Sequence, residues 1–291
     1  MSLDRRTFFK AFGVAGAALA LGKTAEAASS SDSDVEFMGV LYDASRCVGC
    51  QTCEFACADS HDMEFPEDAP DFGITRRTDH TSRTIVNWHE LPDGGEGYSK
   101  AQCMHCNEPA CYTACLTQAL YKTKDGPVIW REDKCMGCRF CMISCPFDVP
   151  KTEYGSNNPR IIKCNMCYHK WENDRSEIPA CVADCPYDAL MFGTRREILD
   201  EARRRIIENP DVYHNQIYGE KEAGGTSWLV ISPVPIEQIG FNNKIKYKSY
   251  PTLTKGFVSS IAPVDLLLPA FLLGVYEATK VRTKNTEEEE I

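Results

Sequence analysis

Sixteen cysteines fall into four short groups, and their spacing is where this 291-residue chain concentrates its chemistry. The first group is Cys47-x2-Cys50-x2-Cys53-x3-Cys57, and the second is Cys103-x2-Cys106-x4-Cys111-x3-Cys115. The third, Cys135-x2-Cys138-x2-Cys141-x3-Cys145, is followed by Pro146. The fourth opens with Cys164-x2-Cys167 and, after an insertion, closes with Cys181-x3-Cys185 before Pro186. No cysteine is left over. Three thiolates two residues apart lie on a tight loop that can wrap one face of an iron–sulfur cubane. The fourth cysteine, three residues on, has begun a helix that points away, toward a neighbouring cluster. Four such groups predict four [4Fe-4S] clusters. Zinc sites would close each set of four on itself, with wider gaps between cysteine pairs. Each oxidised cluster with its four thiolates carries about −2, and Arg46, Lys134, Arg139 and Lys163, near the motifs, read either as cations that offset that charge and tune potentials or as ordinary solvated side chains. His105, inside the second group, reads as a packing residue because four thiolates are already present there.

The elements that must hold these groups are short. The groups recur along residues 39–193, so this body reads as internally repeated. Leu120-Tyr121-Lys122 and Val128-Ile129-Trp130 flank Asp125-Gly126, a hairpin signal. Thr194-Arg195-Arg196-Glu197 fits a capping box, and Ile198, Leu199, Ala202 and Ile206 follow at helical spacing, predicting a surface helix over 194–208. The fold class expected is α+β: tandem two-cluster ferredoxin-like modules, residues 194–250 as an extension packing on the body, and a C-terminal apolar helix.

Both ends carry signals of their own. Arg5-Arg6-Thr7-Phe8-Phe9-Lys10, an uncharged Gly/Ala-rich stretch and Ala25-Glu26-Ala27 read as a twin-arginine export signal over 1–27, followed by a linker over 28–38. That route carries folded proteins, which suits a cofactor inserted before export better than disulfides formed after it. Gly256–Tyr276 is apolar except for Asp265 and is long enough for one membrane span. Asp265 would cost about 2.5–3.5 kcal/mol at the bilayer centre unless it faced a protein partner. A charged tail, 277–291, follows. The formal net charge of −10 argues against a nucleic-acid partner. There is no C-x-x-C-H, G-x-G-x-x-G or P-loop pattern and nothing like a catalytic triad, so the chain reads as wiring with no active site of its own.

The chain resembles the exported four-cluster iron–sulfur subunits of membrane-bound respiratory complexes, such as those of the periplasmic high-molecular-weight cytochrome complex and of quinone-linked periplasmic nickel–iron hydrogenases. Asp43–Cys57, Gln102–Cys115, Cys135–Lys151, Cys181–Thr194 and Ile217–Val230 carry the likeness. The first two groups depart from the pattern in lacking Pro after the last cysteine. Spacing alone allows either nested or sequential sharing of ligands between groups. The resemblance implies nesting, with one cluster on Cys47, Cys50, Cys53 and Cys185 and a second on Cys57, Cys164, Cys167 and Cys181. A third would sit on Cys103, Cys106, Cys111 and Cys145, and a fourth on Cys115, Cys135, Cys138 and Cys141. It further implies a multi-helix quinone-binding membrane subunit and a periplasmic redox partner, a multihaem cytochrome c or a NiFe hydrogenase, at the periplasmic face of the inner membrane. The alternative is the beta subunit of a molybdopterin oxidoreductase of the formate or polysulfide type, because the same fold serves there.

Overall fold

The computed structural model describes residues 36–65, 74–156 and 159–289. The expected export signal, most of the linker and the last two residues lie outside these. Residues 35–253 form one compact unit, and the chain from 254 onward belongs to another.

In chain order the first unit contains β1 (Met38–Asp43), α1 (Thr52–Asp59), β2 (Thr84–Glu90), β3 (Glu96–Gln102), α2 (Ala110–Thr113), β4 (Leu120–Lys122) and β5 (Val128–Trp130). It continues with α3 (Phe140–Ser144), β6 (Lys151–Thr152), β7 (Ile161–Ile162), α4 (Tyr168–Trp171), α5 (Ala180–Ala183), β8 (Leu190–Thr194), α6 (Arg195–Glu208) and β9 (Trp228–Ile231). Strand β1 is buried along its whole length, as a central strand must be. It pairs antiparallel with β8, from Met38↔Thr194 to Tyr42↔Leu190, and parallel with β9, from Val40↔Trp228 to Asp43↔Ile231. The period of two sends its residues to two different cores. Val40 and Tyr42, with Trp228 and Val230, join the core that also holds Trp171 and Cys181 and packs Cys47, Cys53 and Cys185 at its edge. Leu41, with Leu229 and Ile231, faces Ile198, Ala202 and Ile206 of α6.

Helix α6 starts as its sequence predicts. The Thr194 hydroxyl accepts the Glu197 N–H at 3.3 Å, and the Glu197 carboxylate accepts the Thr194 N–H at 2.9 Å. The hairpin expected at Asp125-Gly126 is β4–β5, registered Leu120↔Trp130 to Lys122↔Val128. A second hairpin, β2–β3, pairs Thr84↔Gln102 through Glu90↔Glu96. Residues 194–250 are more than an extension laid on a finished body, because β9 is a full member of the central sheet. The motif helices pack pairwise: α1 against α5, and α2 against α3. The first cysteine group thereby meets the fourth, and the second meets the third.

Residues Tyr250–Glu289 form the last helix, α7, with Pro263 and Pro269 inside it. Tyr250–Glu277 is long and apolar enough to cross a membrane, and it presents large exposed side chains such as Phe257, Leu266 and Leu273.

Candidate metal centre

Each cysteine loop is built by backbone in the left-handed region. In the first and third groups Gly49 and Gly137 take φ of 71° and 70°, and Gln51 and Arg139, which head α1 and α3, take 57° and 61°. A short loop that turns three thiols inward needs this reversal, and glycine makes it without strain. The second, third and fourth groups each end in a turn whose fourth residue, counted from the last cysteine, is also left-handed: Gln118, Asp148 and Asp188. Their N–H groups donate to the carbonyls of Cys115, Cys145 and Cys185 at 3.1, 3.2 and 3.5 Å. The repeat read from the cysteine spacing is thus a repeat of backbone conformation.

The thiols gather in four sets. Cys47, Cys50, Cys53 and Cys185 line one cavity, together with Tyr42, Val48 and Lys100. The Cys57 thiol lies within electrostatic reach of Cys164 and Cys167, and Cys181 within reach of Cys164 and Cys57. Cys106 neighbours Cys103, Cys145 and Cys111. Cys141 neighbours Cys115, Cys135 and Cys138. Neighbouring sets lie within electrostatic reach of one another in a row: Cys181 of Cys53, Cys164 of Cys103, and Cys111 of Cys141. Among the described residues, no three His, Cys, Asp or Glu side chains converge closely enough to hold a single metal ion.

Burial sets the state of these thiols. It pushes Cys57 up to about 12, and Cys145 and Cys164 up to about 11, with nearby thiols adding to the rise. Burial also raises Cys47, Cys53, Cys106, Cys111 and Cys181. Cys115 differs: burial raises it, but the N–H groups of Leu120, Ala119 and Thr117 and the Thr117 hydroxyl outweigh that and hold it below the usual range. Buried thiols that resist ionisation are unstable as bare thiolates and suit a cationic iron–sulfur core, which compensates them and displaces their protons.

Among the described residues, several buried donors beside the motifs have no hydrogen-bond partner. They are Gln102 Nε2, His105 Nε2, Trp130 Nε1 and Trp228 Nε1. His105 is fully buried, and its Nδ1 accepts the Val128 N–H at 2.9 Å. Burial, then Lys163 and Lys122, push its pKa down, so the ring is neutral with its proton on Nε2. Orphaned donors beside thiols are what a sulfide-rich cluster satisfies, and with the sixteen thiols they fit the [4Fe-4S] group.

The basic residues near the motifs do not all behave as their positions in the sequence suggest. Arg46 pairs with Asp43 at 3.5 Å, Arg139 stacks on Tyr154 at 4.5 Å, and Lys134 is exposed. Lys163 is buried and donates to Cys103 Sγ at 3.7 Å, to Cys164 O at 2.8 Å and to Val128 O. Two further lysines carry no motif signal. Lys122, on β4, donates to the Cys106 and His105 carbonyls at 2.8 and 3.3 Å. Burial brings it down to about 7 against the raising effect of Cys106 and Cys103. Lys100, on β3, is buried against Trp228 and donates to Thr84 Oγ1. Burial alone would lower its pKa, but Cys53, Cys181, Cys57 and Cys164 together raise it.

The family description "4Fe-4S dicluster domain" matches residues 97–195. A protein of Nitratidesulfovibrio vulgaris (strain Hildenborough) is 39% identical over 99% of this chain and 80% of its own length. The hydrogenase-2 operon protein HybA of Escherichia coli O157:H7 is 33% identical over 97% of both chains. This protein belongs to the HybA family. It is an iron–sulfur electron-transfer subunit, related also to the B subunit of the anaerobic dimethyl sulfoxide reductase of Escherichia coli K12, which is 34% identical over 57% of this chain and 76% of that one. As a HybA relative it combines a ferredoxin-type dicluster domain with a long apolar C-terminal helix, and the HybA likeness runs the length of both.

Proposed function

We propose that this chain holds four [4Fe-4S] clusters in a row and relays electrons between a quinone-binding membrane subunit and a periplasmic redox partner, a multihaem cytochrome c or a NiFe hydrogenase. The observation that carries the reading is the gathering of sixteen thiols into four adjoining sets, each set drawing cysteines from two groups. Cys185 beside Cys47 and Cys53, and Cys145 beside Cys103 and Cys111, support nested sharing. Each cluster, when bound, takes up or releases one electron at a potential set by its surroundings. The protein's part is to supply the thiolates, exclude water from the inner sets and hold fixed charges and N–H donors beside them.

Export through the twin-arginine signal and anchoring by Gly256–Tyr276 place the relay at the periplasmic face of the membrane on this reading, with residues 39–193 as the cluster-bearing body. The alternative, a beta subunit beside a molybdopterin chain, draws on the likeness to the dimethyl sulfoxide reductase B subunit. That likeness covers 57% of the chain, whereas the HybA likeness covers 97%. The test is iron and acid-labile sulfide analysis of protein purified without oxygen, with about sixteen of each expected per chain. Stoichiometric zinc with little sulfide would refute the reading. Recovery of the protein in complex with a cytochrome or hydrogenase subunit, against a molybdopterin subunit, separates the two partner readings.

A further inference from the structure

Two ammonium groups are sealed inside this protein without a carboxylate to balance them. Lys100 is 1% exposed and Lys163 is 3% exposed. Among the described residues the ion pairs involve other cations, and neither of these lysines joins one. Their hydrogen bonds go to neutral groups, Thr84 Oγ1 for Lys100 and the Val128 and Cys164 carbonyls for Lys163, and to the Cys103 sulfur. A buried, unpaired charge is costly, and proteins pair it or avoid it. The groups within reach that become negative on giving up a proton to iron are cysteine thiols. Lys100 faces Cys53 of one set and Cys181, Cys57 and Cys164 of the next. Lys163 lies between Cys103 of the third set and the backbone of Cys164 in the second. Each lysine therefore stands at a junction between neighbouring sets, and the second set has one on either side.

We propose that Lys100 and Lys163 are positioning residues of the electron path, each placing a fixed positive charge at a junction between cysteine sets and raising the reduction potentials of the clusters that meet there. This rests on the reading that the thiols hold clusters. A reduced cluster carries one more negative charge than an oxidised one, so an ammonium held close favours the reduced form. The effect is strong here because both groups are out of water. It is also specific. Lys163 acts on the second and third sets and Lys100 on the first and second. Surface cations such as Lys134, screened by solvent, act weakly on any of them.

The experiment is a potentiometric titration followed by paramagnetic resonance on anaerobically purified full-length protein, comparing wild type with Lys163→Met, Lys163→Arg, Lys100→Met and Lys134→Met. Cys106→Ser and Cys47→Ser mark which signals belong to the third set, the Cys103 signal, and to the first. Lys163→Met is expected to lower the midpoint potential of the Cys103 signal while leaving the Cys47 signal in place. Lys100→Met should do the reverse, and Lys134→Met should shift neither. Lys163→Arg should keep the wild-type potentials. If Lys163→Met does not load clusters while Lys163→Arg does, the charge is required and the proposal stands. Unmoved potentials in a fully loaded Lys163→Met protein would overturn it, and so would equal failure of the Met and Arg variants to load, which would make the residue a packing element. A wild-type chain without about sixteen iron would instead refute the cluster reading on which the proposal rests.

Discussion

The four cysteine sets divide into an inner and an outer pair, and the protein treats them differently. In the inner sets Cys57, Cys167, Cys181, Cys103 and Cys111 are buried, and none of the eight thiols is exposed. In the outer sets Cys50 and Cys138 are exposed. Large apolar side chains stand in solvent around the fourth set, with Leu116 at 86% and Ile143 at 82% exposure, and Val48 and Tyr187 do so around the first. The inner sets instead have Lys100 and Lys163 at their borders. Electron tunnelling falls steeply with distance, so a relay needs carriers near its surface at both ends and shielded ones between. The difference teaches that one repeated motif can be specialised by what surrounds it, without changing its cysteines.

The largest effect should follow removal of all iron. Among the described residues, three of the four apolar cores include cysteines, whereas the core between β1, β9 and α6 contains none. After anaerobic chelation, hydrogen exchange should show loss of protection in α1 to α5, while the buried face of α6 keeps its own. Loss of α6 protection at the same rate would show one cooperative unit and erase the distinction between cluster-held and sheet-held regions. Reloading should proceed more readily as pH rises, because thiols must give up their protons to bind iron.

Next in size is a single ligand. Cys138→Ser removes an exposed outer thiol, and water can reach the damage. It should cost one cluster, about four of some sixteen irons. Cys103→Ser removes the thiol to which Lys163 donates and leaves that ammonium buried with one fewer partner. It should cost both inner clusters, about half the iron. Iron and sulfide analysis of the two variants checks this, and equal losses would break the inner–outer comparison.

A smaller effect comes from the link between the first set and α6. Asp43 is fully buried, and its carboxylate accepts from Arg205 and the Tyr213 hydroxyl at 2.8 Å and from Ser45 at 2.6 Å. Asp43→Ala leaves Arg205 with Glu201 alone, at 2.7 Å, and takes the acceptor from the Tyr213 and Ser45 hydroxyls, and should destabilise by about 1–3 kcal/mol. The loss should show in denaturant unfolding followed at α6, with the Cys47 signal perturbed and the Cys141 signal unchanged.

The parts legible in the sequence were those encoded locally. The first three cysteine groups, the Asp125-Gly126 hairpin and the Thr194 capping box each lie within a short stretch of chain, and the fourth group is two local pairs, Cys164–Cys167 and Cys181–Cys185, around an insertion. Lys163 was visible because it abuts Cys164. Lys100 was not, because it reaches the thiols only through the β2–β3 hairpin, and nothing in Glu96–Gln102 marks an inward lysine. Asp43 meets Arg205 across 162 positions and β1 meets β9 in parallel, contacts that no local pattern announces. Which groups meet was open for the same reason: spacing defines each loop, while the meeting of the first with the fourth and the second with the third rests on α1 packing on α5 and α2 on α3.

The smallest effect compares the two outer loops with each other. Gly49 and Gly137 have the same backbone, yet their surroundings differ. A Cβ at Gly137 would find Pro159 Cγ at 3.3 Å, a contact that a small shift relieves. Gly137→Ala should therefore cost only the left-handed conformation itself, about 1 kcal/mol. A Cβ at Gly49 would fall 2.1 Å from the Tyr98 ring. That ring is tethered through its hydroxyl to Glu96 at 2.8 Å, and its carbonyl accepts the Tyr42 hydroxyl at 2.8 Å. Gly49→Ala must displace it and should cost on the order of 1–3 kcal/mol more, as overpacking does. The displacement would reach Tyr42, which lines the first cavity, so the Cys47 signal should broaden or shift in Gly49→Ala. Gly137→Ala should leave the Cys141 signal sharp. Matching stabilities and matching spectra for the two variants would mean that the loops, and not the residues packed on them, govern the outer sets.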